Sequence, residues 1–251
     1  TECIFTGNTA TSGGGMSNDN SSPILTDCTL TGNTANDGGG MYNDYFSNPE
    51  LTDCTFEGNM TSTVGGAIRI SSDSTVLVTN SVFTGNSSMS LDITTNFGGA
   101  IYNDGLADFT NCEFRDNSSG YGGAFHTTST GETSLTSCVV KRNIGKVCGG
   151  ASFNLLGSIT SLNTMYCGNL PDHLVGGWVD DGGNELLDTC IPDEPAFCTG
   201  DMNQDYDVDV LDLLYLIAVW DTANPAGDIN EDGWVDVADL LVLIGAWGSC
   251  R

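Results

Sequence analysis

Short runs of alternating apolar and polar residues fill residues 1–177, divided by Gly, Asn and Asp. Ala67-Ile-Arg-Ile70, Thr75-Val-Leu-Val78 and Ser81-Val-Phe83 are examples. This alternation has the two-residue period of a half-buried β-strand, and the residues between the runs are those that turns favour. No segment in this part of the chain has the length or the period of an amphipathic helix. The pattern therefore predicts short strands joined by turns.

One unit with three such strands recurs seven times. Its clearest segment is Cys3-Ile-Phe-Thr-Gly-Asn8, and successive copies are spaced by 25, 26, 27, 31, 26 and 26 residues. A period in this range is typical of a solenoid. Three strands per turn, each paired with the next turn, predict an all-β parallel β-helix of about seven coils, roughly 34 Å tall at about 4.8 Å per coil. The later copies begin at Cys28, Cys54, Ser81, Cys112, Cys138 and Thr164.

Equivalent positions of the repeat are expected to stack as columns on successive coils. A column of amides, which runs from Asn8 to Asn169, is predicted to lie at a turn. Stacked amides hydrogen-bond along such a column, and Asn tolerates the left-handed conformation. A second column is apolar and predicts the core; it consists of Phe5, Leu30, Phe56, Phe83, Phe114, Val140 and Tyr166.

The combination of Gly-Gly-Ala-Ile with Phe-x-x-Asn, as in Gly65-Gly-Ala-Ile68 and Phe56 to Asn59, resembles the repeats of polymorphic outer membrane proteins and related right-handed β-helix proteins of bacterial surfaces. The resemblance implies a right-handed parallel β-helix. Because this scaffold carries lyases, hydrolases, adhesins and inert spacers alike, it leaves the function open.

The repeat is lost after residue 177. Residues 178–197 become acidic and gain proline, and they are predicted to form a cap and a short linker before a separate module at residues 198–251. At the other end, Thr1-Glu-Cys3 already lies within a repeat strand. An open coil presents unpaired strand edges, so we expect either that processing left this coil bare or that another molecule covers it.

Two acidic loops of twelve residues, 27 positions apart, each lead into an apolar run. Oxygen atoms at loop positions 1, 3, 5, 9 and 12, with a backbone carbonyl at position 7, suit a hard cation such as calcium. The loops therefore predict two calcium sites. The candidate ligands are Asp201, Asn203, Asp205, Asp207, Asp209, Asp212, Asp228, Asn230, Asp232, Trp234, Asp236 and Asp239.

These paired loop and helix segments, each loop ending in Asp, resemble the dockerin type I modules of secreted bacterial proteins over about residues 198–250. The resemblance implies two calcium ions, a pseudo-symmetric helix pair and attachment to a protein partner, which in cellulosomes is a cohesin. Tyr206 stands at position 6 of the first loop, where Gly is usual, so we expect the first site to be weaker than the second, which has Gly233. Val210-Leu211 and Val237-Ala238 replace the small hydroxyl residues used for cohesin, which argues against an ordinary cohesin as the partner.

The two helices following the loops are predicted to be apolar almost all the way round, which is more surface than a two-helix module can bury. Two interpretations remain open: this surface binds a protein partner or another copy, or it docks against the body of the same chain. The residues predicted to bind a partner are Leu211, Tyr215, Val219, Trp220, Leu241, Ile244 and Trp247.

Carboxylates outnumber basic residues by 33 to 6 and give a formal charge of −27. This charge repels a phosphate backbone, so nucleic acid is excluded as a partner. No apolar run approaches the roughly 18 residues of a membrane-spanning helix, and no leader is recognised, so we expect a mature protein secreted to the cell surface or beyond. Asn-x-Ser/Thr matches for glycosylation, which chance readily produces in so polar a chain, begin at Asn20, Asn59, Asn86 and Asn117.

The ten cysteines divide into two groups. Neighbouring members of a ladder column lie about 4.8 Å apart, beyond the roughly 3.5–4.5 Å that disulfide Cβ atoms prefer, so we interpret that column as buried thiols. Cys148 is expected to be buried as well. Disulfides Cys167–Cys190 and Cys198–Cys250 are predicted, as suits a secreted protein. The ladder column holds Cys3, Cys28, Cys54, Cys112 and Cys138.

Catalytic patterns are weak in this chain. The basic residues Lys141, Arg142 and Lys146 share one turn, the pair Asp180-Asp181 is interpreted as a cap turn, and His126 and His173 lack a Cys/His cluster for zinc. We therefore predict a non-catalytic structural or assembly protein whose calcium module attaches it to a partner or to copies of itself, head to tail in a fibre. A surface adhesin that binds glycans and a dockerin-bearing polysaccharide lyase or hydrolase are the alternatives.

Overall fold

The computed structural model describes residues 1–89, 95–190, 207–208, 210–220, 222, 229–230, 233–245 and 247–249. The chain forms two compact units, Thr1–Ile191 and Pro192–Arg251. The first unit is the solenoid, and the second contains the two helices.

Short strands make up the first unit. The first thirteen are β1 (Ile4–Thr6), β2 (Met16–Asp19), β3 (Ile24–Thr26), β4 (Thr29–Thr31), β5 (Thr34–Asp37), β6 (Met41–Asp44), β7 (Glu50–Thr52), β8 (Thr55–Glu57), β9 (Met60–Val64), β10 (Ile68–Ile70), β11 (Thr75–Thr79), β12 (Val82–Thr84) and β13 (Ser87–Ser88). The next twelve are β14 (Ile101–Asn103), β15 (Leu106–Thr110), β16 (Glu113–Arg115), β17 (Ser118–Tyr121), β18 (Phe125–Thr127), β19 (Glu132–Thr136), β20 (Val139–Lys141), β21 (Ile144–Cys148), β22 (Ser152–Leu162), β23 (Met165–Cys167), β24 (Leu174–Asp180) and β25 (Glu185–Leu187).

Three parallel sheets run along the solenoid. The first sheet has the order β1-β4-β8-β12-β16-β20-β23-β25, and the third has the order β21-β17-β13-β9-β5. The second sheet has the order β2-β6-β10-β14-β18-β22-β19-β15-β11-β7-β3, with β24 also paired to β22. Each strand pairs with the equivalent strand of the next repeat, as in Ile4 opposite Thr29. The predicted parallel β-helix is confirmed.

The solenoid has about six full turns, and the predicted count of seven is wrong. The seventh repeat is shortened: Met165 lies opposite Glu185, only 20 residues further along the chain. In the third sheet this repeat contributes an isolated bridge, Ile144 to Leu170, instead of a strand. The second sheet continues past residue 177, because β24 pairs with β22 from Leu174 to Asp180.

The apolar column forms the core as predicted. Phe83 lies between Phe56 and Phe114, with ring centroids 4.9 and 4.6 Å away and nearly parallel rings. All three side chains are fully buried. Stacking along the solenoid axis follows from the in-register pairing of the strands that carry the rings, and it adds about 0.5–1.5 kcal/mol per pair to the effect of burial.

The amide column lies at a turn and is hydrogen-bonded from coil to coil, as predicted. Nδ2 of Asn33 donates to Oδ1 of Asn59 at 3.0 Å and to the carbonyl of Phe5 at 2.8 Å. The backbone N–H of Asn33 donates to the same Oδ1 of Asn59. Each buried amide thereby satisfies backbone groups of the coils on both sides, which would otherwise be costly to bury.

The Gly-Gly pairs lie at the corner between the third and second sheets. At Gly65 the φ angle is +66°, in the region that favours glycine. A Cβ atom on the next residue, Gly66, would lie 2.1 Å from the carbonyl oxygen of Gly99 on the neighbouring coil. The first glycine is therefore needed for the bend and the second for the close approach of two backbones.

The cysteine column is a ladder of free thiols, as predicted, but one member is not buried. Cys28, Cys54, Cys112 and Cys138 are buried, whereas Cys3 is exposed. Cys148 is half-buried, so its predicted burial is wrong. The disulfide Cys167–Cys190 is confirmed. Cys198 and Cys250 lie outside the described residues.

The second unit contains helices α1 (Val210–Ala218) and α2 (Val237–Gly245) and the short antiparallel pair β26 (Asp207–Val208) and β27 (Gly248–Ser249). These are the two predicted helices. Their small core consists of Val208, Leu216, Val235 and Leu243.

Candidate functional site

The predicted calcium ligands are described only in part. Asp201, Asn203, Asp205, Asp209, Asp228 and Asp232 lie outside the described residues, and only the backbone of Asp207 is described. The described candidate ligands are Asp212, Asn230, Trp234, Asp236 and Asp239.

Asp239, at the last position of the second loop, reaches back across the loop. Its Oδ1 accepts hydrogen bonds from the N–H groups of Ile229 at 2.7 Å and Asn230 at 3.0 Å, and its Oδ2 accepts one from Asp236 at 2.8 Å. Burial raises the pKa of Asp239, but these N–H donors outweigh it and hold the pKa below its usual value. The carboxylate is therefore charged and fixed at the point where the loop enters α2.

Gly233 has a φ angle of +95°, as expected for the sixth position of such a loop. Asp212 occupies in the first loop the position that Asp239 has in the second, and both carboxylates are fully buried. A buried carboxylate at the end of each loop, with a left-handed glycine in the second, is a donor arrangement that fits a hard cation. Calcium itself remains a prediction.

The two helices expose the same apolar positions. Leu214 and Leu241, 27 residues apart like the loops, are 56% and 65% exposed. The other exposed pairs are Val210 with Val237, Ile217 with Ile244, and Trp220 with Trp247. Buried positions repeat in the same way, as Leu216 with Leu243. The module thus carries two equivalent sets of uncovered apolar side chains.

Of the predicted partner residues, Trp220, Leu241, Ile244 and Trp247 are exposed. Val219 is partly buried and packs against the core of the helix pair. The side chains of Leu211 and Tyr215 are not described. Sequence reasoning missed several exposed side chains, although the 27-residue spacing applied to Leu241 and Ile244 identifies two of them; the missed residues are Val210, Leu214, Ile217 and Val237.

A second candidate site lies on the outer face of the solenoid and was not predicted. Nη1 of Arg69 is 2.9 Å from Oδ2 of Asp104, and its guanidinium lies 4.8 Å from the ring of Tyr102 and 5.8 Å from the ring of Tyr42. Thr128 also donates to Asp104, at 2.6 Å. We call Tyr42, Arg69, Tyr102 and Asp104 the Arg69 cluster.

Aromatic rings continue the Arg69 cluster toward later coils. His126 lies 5.1 Å from Tyr102 and 4.6 Å from Phe97, measured between ring centroids. Burial lowers the pKa of His126 to about 4 and raises the pKa of Tyr102. His126 is therefore neutral and Tyr102 protonated near pH 7, so neither pKa is matched to general acid–base catalysis at that pH.

An exposed turn lies at the end of β6, beside the Arg69 cluster. Tyr45 and Phe46 have φ angles of +44° and +60° and are 62% and 63% exposed. Tyr42, two residues before the turn, donates from its hydroxyl to Asp44 at 3.2 Å. Bulky residues adopt this backbone conformation rarely. Two adjacent aromatic residues, at a turn that holds Ser72-Asp73 and Ser129-Thr130 in other repeats, were the sequence signal for this feature.

Other candidate residues have structural partners. Nζ of Lys141 is 3.2 Å from Glu113, and Nε of Arg142 is 3.0 Å from Asp116. Oδ1 of Asp180 accepts from the N–H of Gly182 at 2.8 Å, as expected of a cap turn. Among the described residues no group of three or more His, Cys, Asp or Glu side chains is arranged to hold a metal ion.

Three of the four predicted glycosylation sites are excluded in the folded chain. The side chains of Asn59, Asn86 and Asn117 are fully buried in the amide column, where Nδ2, the atom that would carry the sugar, donates hydrogen bonds. The repeat placed these three Asn residues in the amide column, but only the structure shows that their side chains are buried. Asn20 is exposed.

In the part of the chain that the structure describes, no helix is long and apolar enough to cross a membrane. Residues 1–105 match the family model described as right handed beta helix region. No curated protein and no solved structure matches the chain. The match and the three parallel sheets together identify the solenoid as a right-handed β-helix repeat structure.

Proposed function

We propose that this is a non-catalytic extracellular assembly protein, in which a calcium-binding C-terminal module attaches a β-solenoid to copies of itself or to a protein partner. The repeated exposure of three apolar positions on α1 and α2, and of Trp220 and Trp247 just after them, carries the proposal. The disulfide Cys167–Cys190 supports an extracellular location, because such bonds persist in oxidising compartments.

Calcium acts in this proposal by ordering the two loops. Asp239 fastens the second loop to the start of α2 through three backbone N–H groups. A cation bound by the loop carboxylates would offset their mutual repulsion and hold both helices in position. Without it, the acidic loops repel themselves and the helix pair loosens.

Attachment then uses the uncovered apolar side chains. A small soluble unit rarely leaves Leu214, Leu241, Trp220 and Trp247 exposed together unless they bind a partner. The two loops are rich in Asp, so a complementary partner has an apolar centre and a basic or neutral rim. Contacts between unlike surfaces of copies do not close and would build a fibre.

A non-catalytic role is supported by the basic side chains of the solenoid. Four of its five basic residues, Arg69, Arg115, Lys141 and Arg142, form an ion pair with a carboxylate. A lyase needs a basic group free to remove a proton from its substrate, and the fifth residue, Lys146, lies at an exposed position of β21. The alternative of a polysaccharide lyase predicts release of unsaturated sugars from uronate polymers, and detection of that product would overturn this part of the proposal.

Calcium uptake and sedimentation test the proposal. Native mass spectrometry should show two calcium ions on the intact chain; Asp212→Asn and Asp239→Asn should each lose one, and Asp53→Asn, on a solenoid turn, should lose none. In calcium the protein should sediment as large species that EDTA disperses. Leu214→Lys with Leu241→Lys should remain small while still binding calcium, whereas Leu106→Lys, which is also exposed, should behave as the original chain.

Two results would contradict the proposal. Absence of calcium uptake removes the module's role altogether. Monomeric behaviour of the original chain in calcium rules out self-assembly. Filaments in electron micrographs, lost with EDTA, would support the head-to-tail form.

A further inference from the structure

We infer that Tyr45 and Phe46 form a binding platform for a neutral glycan on the solenoid. The two rings project from the turn after β6 and are 62% and 63% exposed. The inference concerns only the first unit and does not depend on the calcium module.

The turn is held rigidly from below. Ser47 is fully buried, its Oγ donates to the carbonyl of Asp44, and its N–H donates to Oγ of Ser74 at 3.2 Å. Oγ of Ser47 also accepts a hydrogen bond from the N–H of Ser21 at 3.3 Å. Nδ2 of Asn48 donates to the carbonyl of Phe46 at 3.1 Å. Bonds to the coils on both sides therefore fix the backbone that carries the exposed rings before any ligand arrives, which lowers the entropy cost of binding.

The conformation of the turn is unusual for these side chains. In the preceding coil the left-handed position is occupied by Asn20, with φ +48°, a residue that tolerates it. Here two bulky residues adopt it in succession. Backbone strain of this kind occurs at binding sites, where a side chain is kept for what it contacts.

Polar groups around the rings accept hydrogen bonds. Asp44 precedes the rings in sequence, and Asp19 lies opposite Asp44 on the preceding coil. Asp44 already accepts a hydrogen bond from the hydroxyl of Tyr42. The guanidinium of Arg69, one coil away, pairs with Asp104 and not with Asp44. The turn thus presents apolar rings beside acceptors that take hydroxyl donors.

A neutral sugar chain matches this surface. A pyranose ring has an apolar face of C–H groups that packs on an aromatic ring, and hydroxyls at its edge that donate to carboxylates. Uronates, phosphates and anionic membranes are disfavoured, because the nearby carboxylates and the net charge of −27 repel them. A basic peptide is the competing ligand, and its binding would weaken steeply with salt.

Gel retardation of the intact protein by soluble polysaccharides tests the inference. Hydroxyethylcellulose, xylan and glucomannan serve as neutral probes, and alginate and polygalacturonate as anionic ones. At least one neutral probe should retard the protein, equally with and without EDTA and at low and high salt. Tyr45→Gly with Phe46→Gly should weaken retardation by about tenfold or more and raise the melting temperature, because glycine relieves the positive φ.

Leu77→Ala and Leu106→Ala, which remove exposed apolar side chains elsewhere on the solenoid, should leave retardation unchanged. The inference fails if no neutral probe retards the protein, if the double glycine variant binds as well as the original chain, or if binding is confined to anionic probes or lost in salt. Insensitivity to EDTA separates this result from the calcium module, whose failure would leave it intact.

Discussion

Nδ2 of Asn59 donates a hydrogen bond to Oδ1 of Asn86 on the neighbouring coil, at 3.0 Å, and both side chains are fully buried. Asn86 in turn donates to the carbonyl of Phe56 at 2.9 Å and to Oδ1 of Asn117 at 3.0 Å. One amide therefore joins three coils through buried polar groups.

Replacing the Asn86 amide should destabilise the solenoid. Asn86→Ala removes the acceptor of the Asn59 N–H and of one Nδ2 hydrogen bond of Asn59. It also removes the side-chain donor to the carbonyl of Phe56 and one of the two donors to Oδ1 of Asn117. We expect the free energy of unfolding to fall by about 2–4 kcal/mol, measured by urea denaturation. Asn36→Ala, at an exposed position, should change it by less than about 0.5 kcal/mol. Equal losses in the two variants would show that the column does not stabilise the solenoid.

His126 should make the solenoid less stable in mild acid. Burial lowers its pKa from 6.5 to about 4, so the unfolded chain binds the proton more readily than the folded one. Stability from this residue is complete above about pH 6.5 and is lost as the pH falls toward 4, by up to about 3 kcal/mol. His126→Phe keeps a ring in the stack and removes the titration.

The measurement is the difference in unfolding free energy between His126→Phe and the original chain from pH 7 to pH 4. Taking the difference cancels the carboxylates, which titrate in both proteins. As the pH falls, the unfolding free energy of the variant should decrease less than that of the original chain. A constant difference across this range would show that the imidazole is protonated equally in the folded and unfolded chains.

Thiol labelling should distinguish the cysteines by position. In the folded protein a thiol reagent should modify Cys3 quickly and Cys148 more slowly, while Cys28, Cys54, Cys112 and Cys138 react only in denaturant. Burial raises the pKa of Cys54, which lowers its thiolate content further. Cys3→Ser should remove the fast phase alone, and a fast phase that survives it would contradict the arrangement.

Calcium removal should affect the two compact units differently. Thermal unfolding with excess calcium should show a solenoid transition and a separate transition of the helix pair. EDTA should lower only the melting temperature of the second transition. The loss in unfolding free energy should be about 2.7 kcal/mol, which is the stabilisation that a ligand provides at 100 times its Kd. Restored calcium should reverse the shift, and identical curves with and without EDTA would argue against metal binding.

Part of this fold could be predicted because its information is local and repeated. The core rings and the amides recur at the repeat period, and equivalent residues of a solenoid must stack on each other. The helix pair was predictable for the same reason, since its pattern is written twice. The buried carboxylate Asp239 and the left-handed Gly233 fall where a loop of that length requires them.

The Arg69 cluster was not predictable from the sequence. Arg69 and Asp104 are 35 residues apart, and the pairing of Arg69 with Tyr102 sets which carboxylate the guanidinium meets. The exposure of Tyr45 and Phe46 depends on where the turn projects, which the neighbouring coils decide through Ser21 and Ser74.

The sequence by itself determined the solenoid, its columns and the two acidic loop and helix segments, because a period imposes the same hydrogen bonding on every copy. Tertiary structure alone decided which copies differ in environment. Cys3 is exposed and Cys54 buried, and Asn8 is exposed and Asn59 buried, although each pair occupies the same position of the repeat. Burial is set by the atoms that neighbouring coils place around a side chain, and those atoms come from residues about 25 or more positions away in the chain.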